Sequence, residues 1–300
     1  MPSRPSNELL DPRVLARIGD LELLARTVVE GFMHGLHRAP KLGHSTDFAE
    51  HRPYQPGDDI RRIDWRVYGR TDRFYVKEFE ADTNAAVMLA MDVSKSMGFA
   101  SAGVTKFEYA KMLAASLAWF SQRQGDRVGL VLYADRIIEY VPPSTRHLSL
   151  VLHTLDRAVP TGVAGGTEAV PAISELLTRT GITVFLSDWY TDPATVRSAL
   201  GGIRARGHDL IAFHPFDPAE RSFPFDRPAS FEDLETEERL PVVPESLRSR
   251  YQTLYEAHLA ELRKELGRAG VDYHLVDIST PLERVLHAYL TEREALARVR

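Results

Sequence analysis

The segment Met91-Asp92-Val93-Ser94-Lys95-Ser96-Met97 sets one carboxylate and two hydroxyls at alternate positions, directly after an apolar run. An extended backbone turns alternate side chains to one side, so Asp92, Ser94 and Ser96 can converge on a single point. Two later segments offer matching donors. Gly165-Gly166-Thr167-Glu168 pairs a tight glycine approach with a hydroxyl at an expected helix start, and Leu186-Ser187-Asp188 ends an apolar run on a carboxylate. The pooled set is two carboxylates and three hydroxyls. These are hard oxygen donors suited to one divalent cation, Mg²⁺ foremost, with Mn²⁺ or Ca²⁺ as alternatives and water completing the shell. Taken singly, each residue reads equally well as a helix cap. Their order after successive strands is what points to a metal.

Elements able to present these donors follow from hydrophobic patterning. After Asn84, aliphatic runs alternate with helical stretches. The runs at 86–91, 127–133, 183–187, 210–214 and 273–276 predict parallel strands, and 137–141 predicts a short antiparallel one. Helices are expected over 106–122, 146–157, 168–179, 193–205 and 247–268, with a last one beginning near Pro281. Strand and helix in alternation give an α/β, doubly wound, mostly parallel sheet flanked by helices, whose ligands sit beyond the carboxyl ends of the strands. Ahead of it, apolar residues at helical spacing over 11–38 (Val14, Leu15, Ile18, Leu21, Leu24, Val28, Val29) predict an amphipathic helix, and 73–79 a strand. The expected division is an N-terminal helical and short-strand segment, 1–85, and a sheet domain, 86–300. An excursion at 216–244 carries several prolines and the acidic run Glu232, Asp233, Glu235, Glu237, Glu238, read as a solvated surface.

Composition narrows the function classes. A net charge of −5 over 300 residues argues against a nucleic-acid binder. The absence of cysteine excludes thiolate metal sites and disulfides. No stretch approaches the roughly 18 apolar residues of a membrane span and the first residues lack a secretory pattern, so a cytoplasmic protein without stable membrane insertion is expected. His34, His37, His44 and His51 are too irregularly spaced for a metal cluster, and no Gly-x-x-x-x-Gly-Lys-Ser/Thr loop is present.

With all five donors in order, the sheet region resembles a von Willebrand factor A domain. The resemblance implies a metal-ion-dependent adhesion site in which Asp92, Ser94, Ser96, Thr167 and Asp188 hold the ion directly or through water, with one position open to a partner's carboxylate. Ser187 and Glu168 neighbour these positions outside that pattern. A narrower resemblance lies upstream in Phe48-Ala49-Glu50, Tyr54-x-Pro56-Gly57-Asp58-Asp59, Arg61-x-Ile63-Asp64-Trp65, Arg70 and Tyr75-Val76-Lys77-x-Phe79-Glu80, with Asp209 and Asp217-Pro218-x-Glu220 further on. This looks like domain-of-unknown-function family 58. It implies a bacterial or archaeal protein acting beside a MoxR-type AAA+ ATPase in chaperone-like maturation of other proteins. From His51 to Glu80 seven Lys or Arg meet six Asp or Glu. Arg61, Arg62, Asp64 and Arg66 are therefore expected to form ion pairs that dock this stretch on the sheet domain around Trp65.

Two functions from different classes are expected to compete. One is a non-enzymatic binding module whose cation captures a carboxylate of a protein partner, the ATPase or its client. The other is a metal-dependent hydrolase or nuclease using Asp92 and Asp188 to activate water, which lacks an evident general base.

Overall fold

A computed structural model describes residues 11–17, 19–38, 51–53, 69, 73–77, 85–101, 103–162 and 166–297. The expected N-terminal helix forms in two pieces, α1 (Pro12–Leu15) and α2 (Leu21–Arg38). The break falls at Gly19-Asp20, where the Asp20 carboxylate accepts the Leu23 N–H and starts the second helix. Leu21, Leu24, Ala25 and Val28 of α2 are buried at the three-and-four spacing of one helical face. Strands β1 (His51–Pro53) and β2 (Tyr75–Lys77) form a separate antiparallel pair. The ion-pair network expected of Arg61, Arg62, Asp64 and Arg66 lies outside the described residues.

The alternating region follows as β3 (Ala86–Asp92), α3 (Lys106–Arg123), β4 (Arg127–Tyr133), β5 (Ile137–Ser144), α4 (Leu148–Arg157), α5 (Gly166–Leu176), β6 (Ile182–Leu186), α6 (Pro193–Ala205) and β7 (Asp209–Phe216). The chain ends in α7 (Pro218–Ser222), β8 (Ala229–Glu232), β9 (Arg239–Val242), α8 (Pro244–Arg268), β10 (Val271–Asp277) and α9 (Leu282–Ala297). Six strands make one sheet in the order β10-β7-β6-β3-β4-β5, parallel throughout except for β5. The expected strands and helices thus form with small shifts of their ends, because buried parallel strands read as unbroken aliphatic runs.

Successive residues of β3 serve opposite faces. Val87, Leu89 and Met91 join a core with α2, α3, α4 and α9, whereas Met88 and Ala90 join a second core with α5, α6 and α8. The sheet is therefore covered on both sides. The chain leaves β3 for β4 on one side and later returns to β6 on the other, so β3 and β6 are neighbours at the point where the strand order reverses. In open α/β sheets the carboxyl ends of the strands beside such a reversal are where ligands sit. Gly181, just before β6, permits the close approach: a Cβ there would meet the Ala86 carbonyl oxygen at 2.2 Å.

The excursion lies at the surface, with Glu232, Asp233, Glu237 and Glu238 exposed, and it is folded. β8 and β9 form a hairpin bearing the acidic run at its turn, and Phe231 packs against Phe223 and Phe225 beneath it.

Candidate metal centre

Asp92 is the last residue of β3 and is 3% exposed. Its carboxylate accepts the Ser94 N–H at 2.8 Å on Oδ1 and the Ser187 hydroxyl at 2.7 Å on Oδ2. The first bond folds the chain into a one-turn 3₁₀ helix over Lys95–Gly98 and brings the Ser94 and Ser96 hydroxyls within 3.1 Å of each other. The second crosses from β3 to the end of β6, the strand that delivers Asp188, itself 2% exposed. Burial, and then the neighbouring Asp188 charge, push the Asp92 carboxyl up to about 6, against the opposing hydrogen bonds from Ser187 and Ser94. A buried carboxylate with neutral partners and a second carboxylate at hand is an environment that a cation would relieve.

Two aromatic residues frame the pair. Tyr133 sits opposite Asp92 in the β3–β4 register and is fully buried; burial, then the Asp92 charge, hold its phenol well above the ordinary range. It is neutral at any physiological pH. Trp189, after Asp188, takes a left-handed φ of 52°, a conformation unusual for a bulky residue and worth strain of order 1–3 kcal/mol. Its N–H reaches the Ser187 hydroxyl at 3.2 Å, so the turn is tied through Ser187 to the Asp92 carboxylate. The next residue, Tyr190, lines a cleft of about 420 Å³ with Tyr251, Leu254, Tyr255 and His258.

A third set of groups enters from α3 and α7. Lys106 is fully buried, and its ammonium meets Asp188 Oδ2 at 2.8 Å and Glu220 Oε1 at 2.6 Å. It also lies 4.7 Å from the centre of the Tyr190 ring. Burial works to lower the Lys106 pKa, but Asp188 and Glu220 outweigh it and the ammonium is held above its ordinary value. Glu220 in turn accepts the Asp217 N–H at 2.8 Å, and Asp217 accepts the Ser101 N–H at 2.7 Å and the Ser101 hydroxyl.

The family described as "Protein of unknown function DUF58" matches residues 50–261. The chain belongs to the DUF58 family. Uncharacterized proteins of Mycobacterium tuberculosis and Mycobacterium bovis are each 29% identical to it over 275 residues, 90% of this chain and 86% of theirs. Among solved structures, an aerotolerance-related membrane protein from Bacteroides fragilis is 19% identical with a TM-score of 0.49, covering 69% of this chain and 98% of that one. The conserved hypothetical protein BatB from Bacteroides thetaiotaomicron is 18% identical with a TM-score of 0.49, covering 69% and 97%. In this DUF58 chain, no helix among the described residues is long and apolar enough to cross a membrane.

Of the five donors expected from the sequence, Asp92, Ser94, Ser96 and Asp188 gather at the ends of β3 and β6. Thr167 stands half-buried in the first turn of α5, and no hydrogen bond among the described residues joins it to the other four. Gly165 lies outside the described residues. Ser187 supports Asp92 directly, while Glu168 is exposed. The donors are carboxylates and hydroxyls with no sulfur or imidazole, the chemistry of a hard divalent ion, and among the described residues no three His, Cys, Asp or Glu are grouped so as to hold an ion without those hydroxyls.

Neither Lys106 nor Tyr133 is among the site residues expected from the sequence. A signal for Lys106 existed. The Thr105-x-x-Glu108 capping box fixes the start of α3, which makes Lys106 its first residue, where a cation opposes the helix dipole. Such a placement calls for carboxylates from elsewhere. Glu220 and Asp188 supply that need, with Glu220 fixed by the Asp217 N–H, whereas Asp209 pairs with Arg204 at the opposite end of β7. One member of the acidic run also reaches the centre's loop, Glu237 lying 3.3 Å from the Lys95 ammonium.

Proposed function

We propose that this DUF58 protein is a metal-dependent protein-binding module of the von Willebrand factor A type. Asp92, Ser94, Ser96, Thr167 and Asp188 would hold one divalent cation, Mg²⁺ in the first instance, at the reversal point of the sheet. When bound, the ion would supply an electrophilic site for a carboxylate of a protein partner, either a MoxR-type AAA+ ATPase or a client of it, in chaperone-like maturation of other proteins. The observation that carries this reading is the buried Asp92 carboxylate, which faces the Ser94–Ser96 hydroxyl pair and a second carboxylate with only neutral hydrogen-bond donors of its own. Neutral hydroxyl ligands leave an ion electrophilic toward an outside anion, which suits capture better than storage.

The hydrolytic alternative on Asp92 and Asp188 has less support. The titratable group beside Asp188 is Lys106, which its two carboxylates keep protonated and unable to act as a base. The test is calorimetric titration of Mg²⁺ and Mn²⁺ into the intact protein and Asp92→Ala, with capture of the ATPase in the presence and absence of chelator. Binding lost in the variant together with chelator-sensitive capture supports the module; metal-independent capture by a protein that takes up no cation removes it.

A further inference from the structure

The cation-binding reading leaves one buried network unused. Lys106 is wholly inaccessible at the first position of α3, where the helix dipole and desolvation both disfavour an ammonium. What holds it there are carboxylates from two other places in the chain, Asp188 after β6 and Glu220 in α7. Glu220 is fixed by the Asp217 N–H, and Asp217 by Ser101, which follows the Ser94–Ser96 turn. The network therefore runs from the loop of the candidate centre, through Asp217, Glu220 and Lys106, back to Asp188. It sets one ammonium between the carboxylates of Asp188 and Glu220, and Asp188 in turn neighbours Asp92.

We propose that Lys106 is a tethered cation that shares Asp188 with the divalent ion and thereby sets the cation affinity of the site. The inference rests on the cation-binding reading and deepens it. Lys106 engages Oδ2 of Asp188, so part of that carboxylate's charge is already neutralised before any ion arrives, and a second positive charge close by repels the ion. Glu220 acts in the opposite sense, because it draws the ammonium's charge away from Asp188. A site balanced in this way holds its ion loosely on its own and gains most from a carboxylate brought by a partner, which makes Lys106 a residue that couples ion retention to partner binding. Lys106 is a positioning residue here.

The two arms of the network give substitutions of opposite sign. Lys106→Met combined with Glu220→Gln removes one charge of each sign, so the net charge of the cluster is unchanged and Asp188 is released to the ion. Glu220→Gln alone leaves Lys106 wholly to Asp188. With Mn²⁺ titrated into the full chain by calorimetry and followed by electron paramagnetic resonance, the double variant should bind at least tenfold more tightly than the unaltered protein. Glu220→Gln should bind at least threefold more weakly. Merely structural damage would weaken both, so a double variant that binds no more tightly, or a Glu220→Gln that binds no more weakly, overturns the proposal. If the double variant does not fold, as judged by circular dichroism, Glu220→Gln still decides the question with the Lys106–Asp188 pair intact. Absence of Mn²⁺ binding in all folded forms sinks the cation reading and this inference together, a pattern distinct from either failure of Lys106 alone.

Discussion

Asp92 is a buried carboxylate whose direct partners are an amide and a hydroxyl, neither charged. Its folded pKa of about 6 exceeds the ordinary carboxylate value of 3.8, so the folded protein binds the proton more tightly than the unfolded chain. The stability this contributes is fully present below about pH 4 and is lost as pH rises through about 6. At pH 7 the metal-free protein therefore carries a penalty on the order of 2–3 kcal/mol from this group. Asp92→Asn keeps an acceptor for the Ser94 N–H and an amide for Ser187, and it removes the charge. We expect it to raise the melting temperature of chelator-treated protein at pH 7 while leaving it almost unchanged at pH 4, as read by thermal circular dichroism. Equal or lower stability at pH 7 would mean that Asp92 is already compensated. This residue was legible in the sequence because carboxylate and hydroxyls alternate right after an aliphatic strand. Lys106 was legible only as the first residue of a capped helix, since its partners Asp188 and Glu220 lie 82 and 114 positions away in the chain.

Between elements, the β3–β6 contact decides whether Asp92 and Asp188 meet at all. These strands pair in parallel from Val87 with Ile182 to Met91 with Leu186, which sets Asp92 beside Ser187. Gly181 admits that pairing at its entry, where a methyl group would lie 2.2 Å from the Ala86 carbonyl oxygen. Gly181→Ala must push the strands apart or shift the register, and overpacking of this kind costs about 1–3 kcal/mol. We expect the urea midpoint to fall accordingly. Gly201→Ala, inside α6 with nothing within 4 Å of the new methyl, should be neutral or mildly stabilising. A variant at Gly181 as stable as the original would show that β6 does not hold this position in solution. The helices were legible as amphipathic stretches between strands, and the structure caps them with Thr105 and Glu108 and with Asp192 before Pro193. The N-terminal break at Gly19-Asp20 was not, because apolar spacing continues across it and only the Asp20 cap marks the restart.

Across the whole molecule, a ligand that binds only the folded state stabilises by mass action, about 2.7 kcal/mol at a hundredfold excess over its dissociation constant. If the centre takes up Mg²⁺, saturating ion should raise the melting temperature by several degrees, with the shift reversed by chelator and absent in Asp92→Ala. A melting curve indifferent to Mg²⁺ and Mn²⁺ at millimolar concentration would count against the centre. The sequence by itself determined the layered α/β architecture, since buried parallel strands and capped amphipathic helices announce themselves over windows of a few residues. It also determined the oxygen-only character of the donor set and which loops carry it. The tertiary structure alone decided that Asp92 and Asp188 become neighbours across β3 and β6. It alone decided that Asp217 and Glu220 brace the centre, and that an ammonium is buried among its carboxylates. Those facts arise from strand order and helix placement, which join residues roughly a hundred positions apart, and local periodicity carries no record of charges that meet only after the sheet has closed.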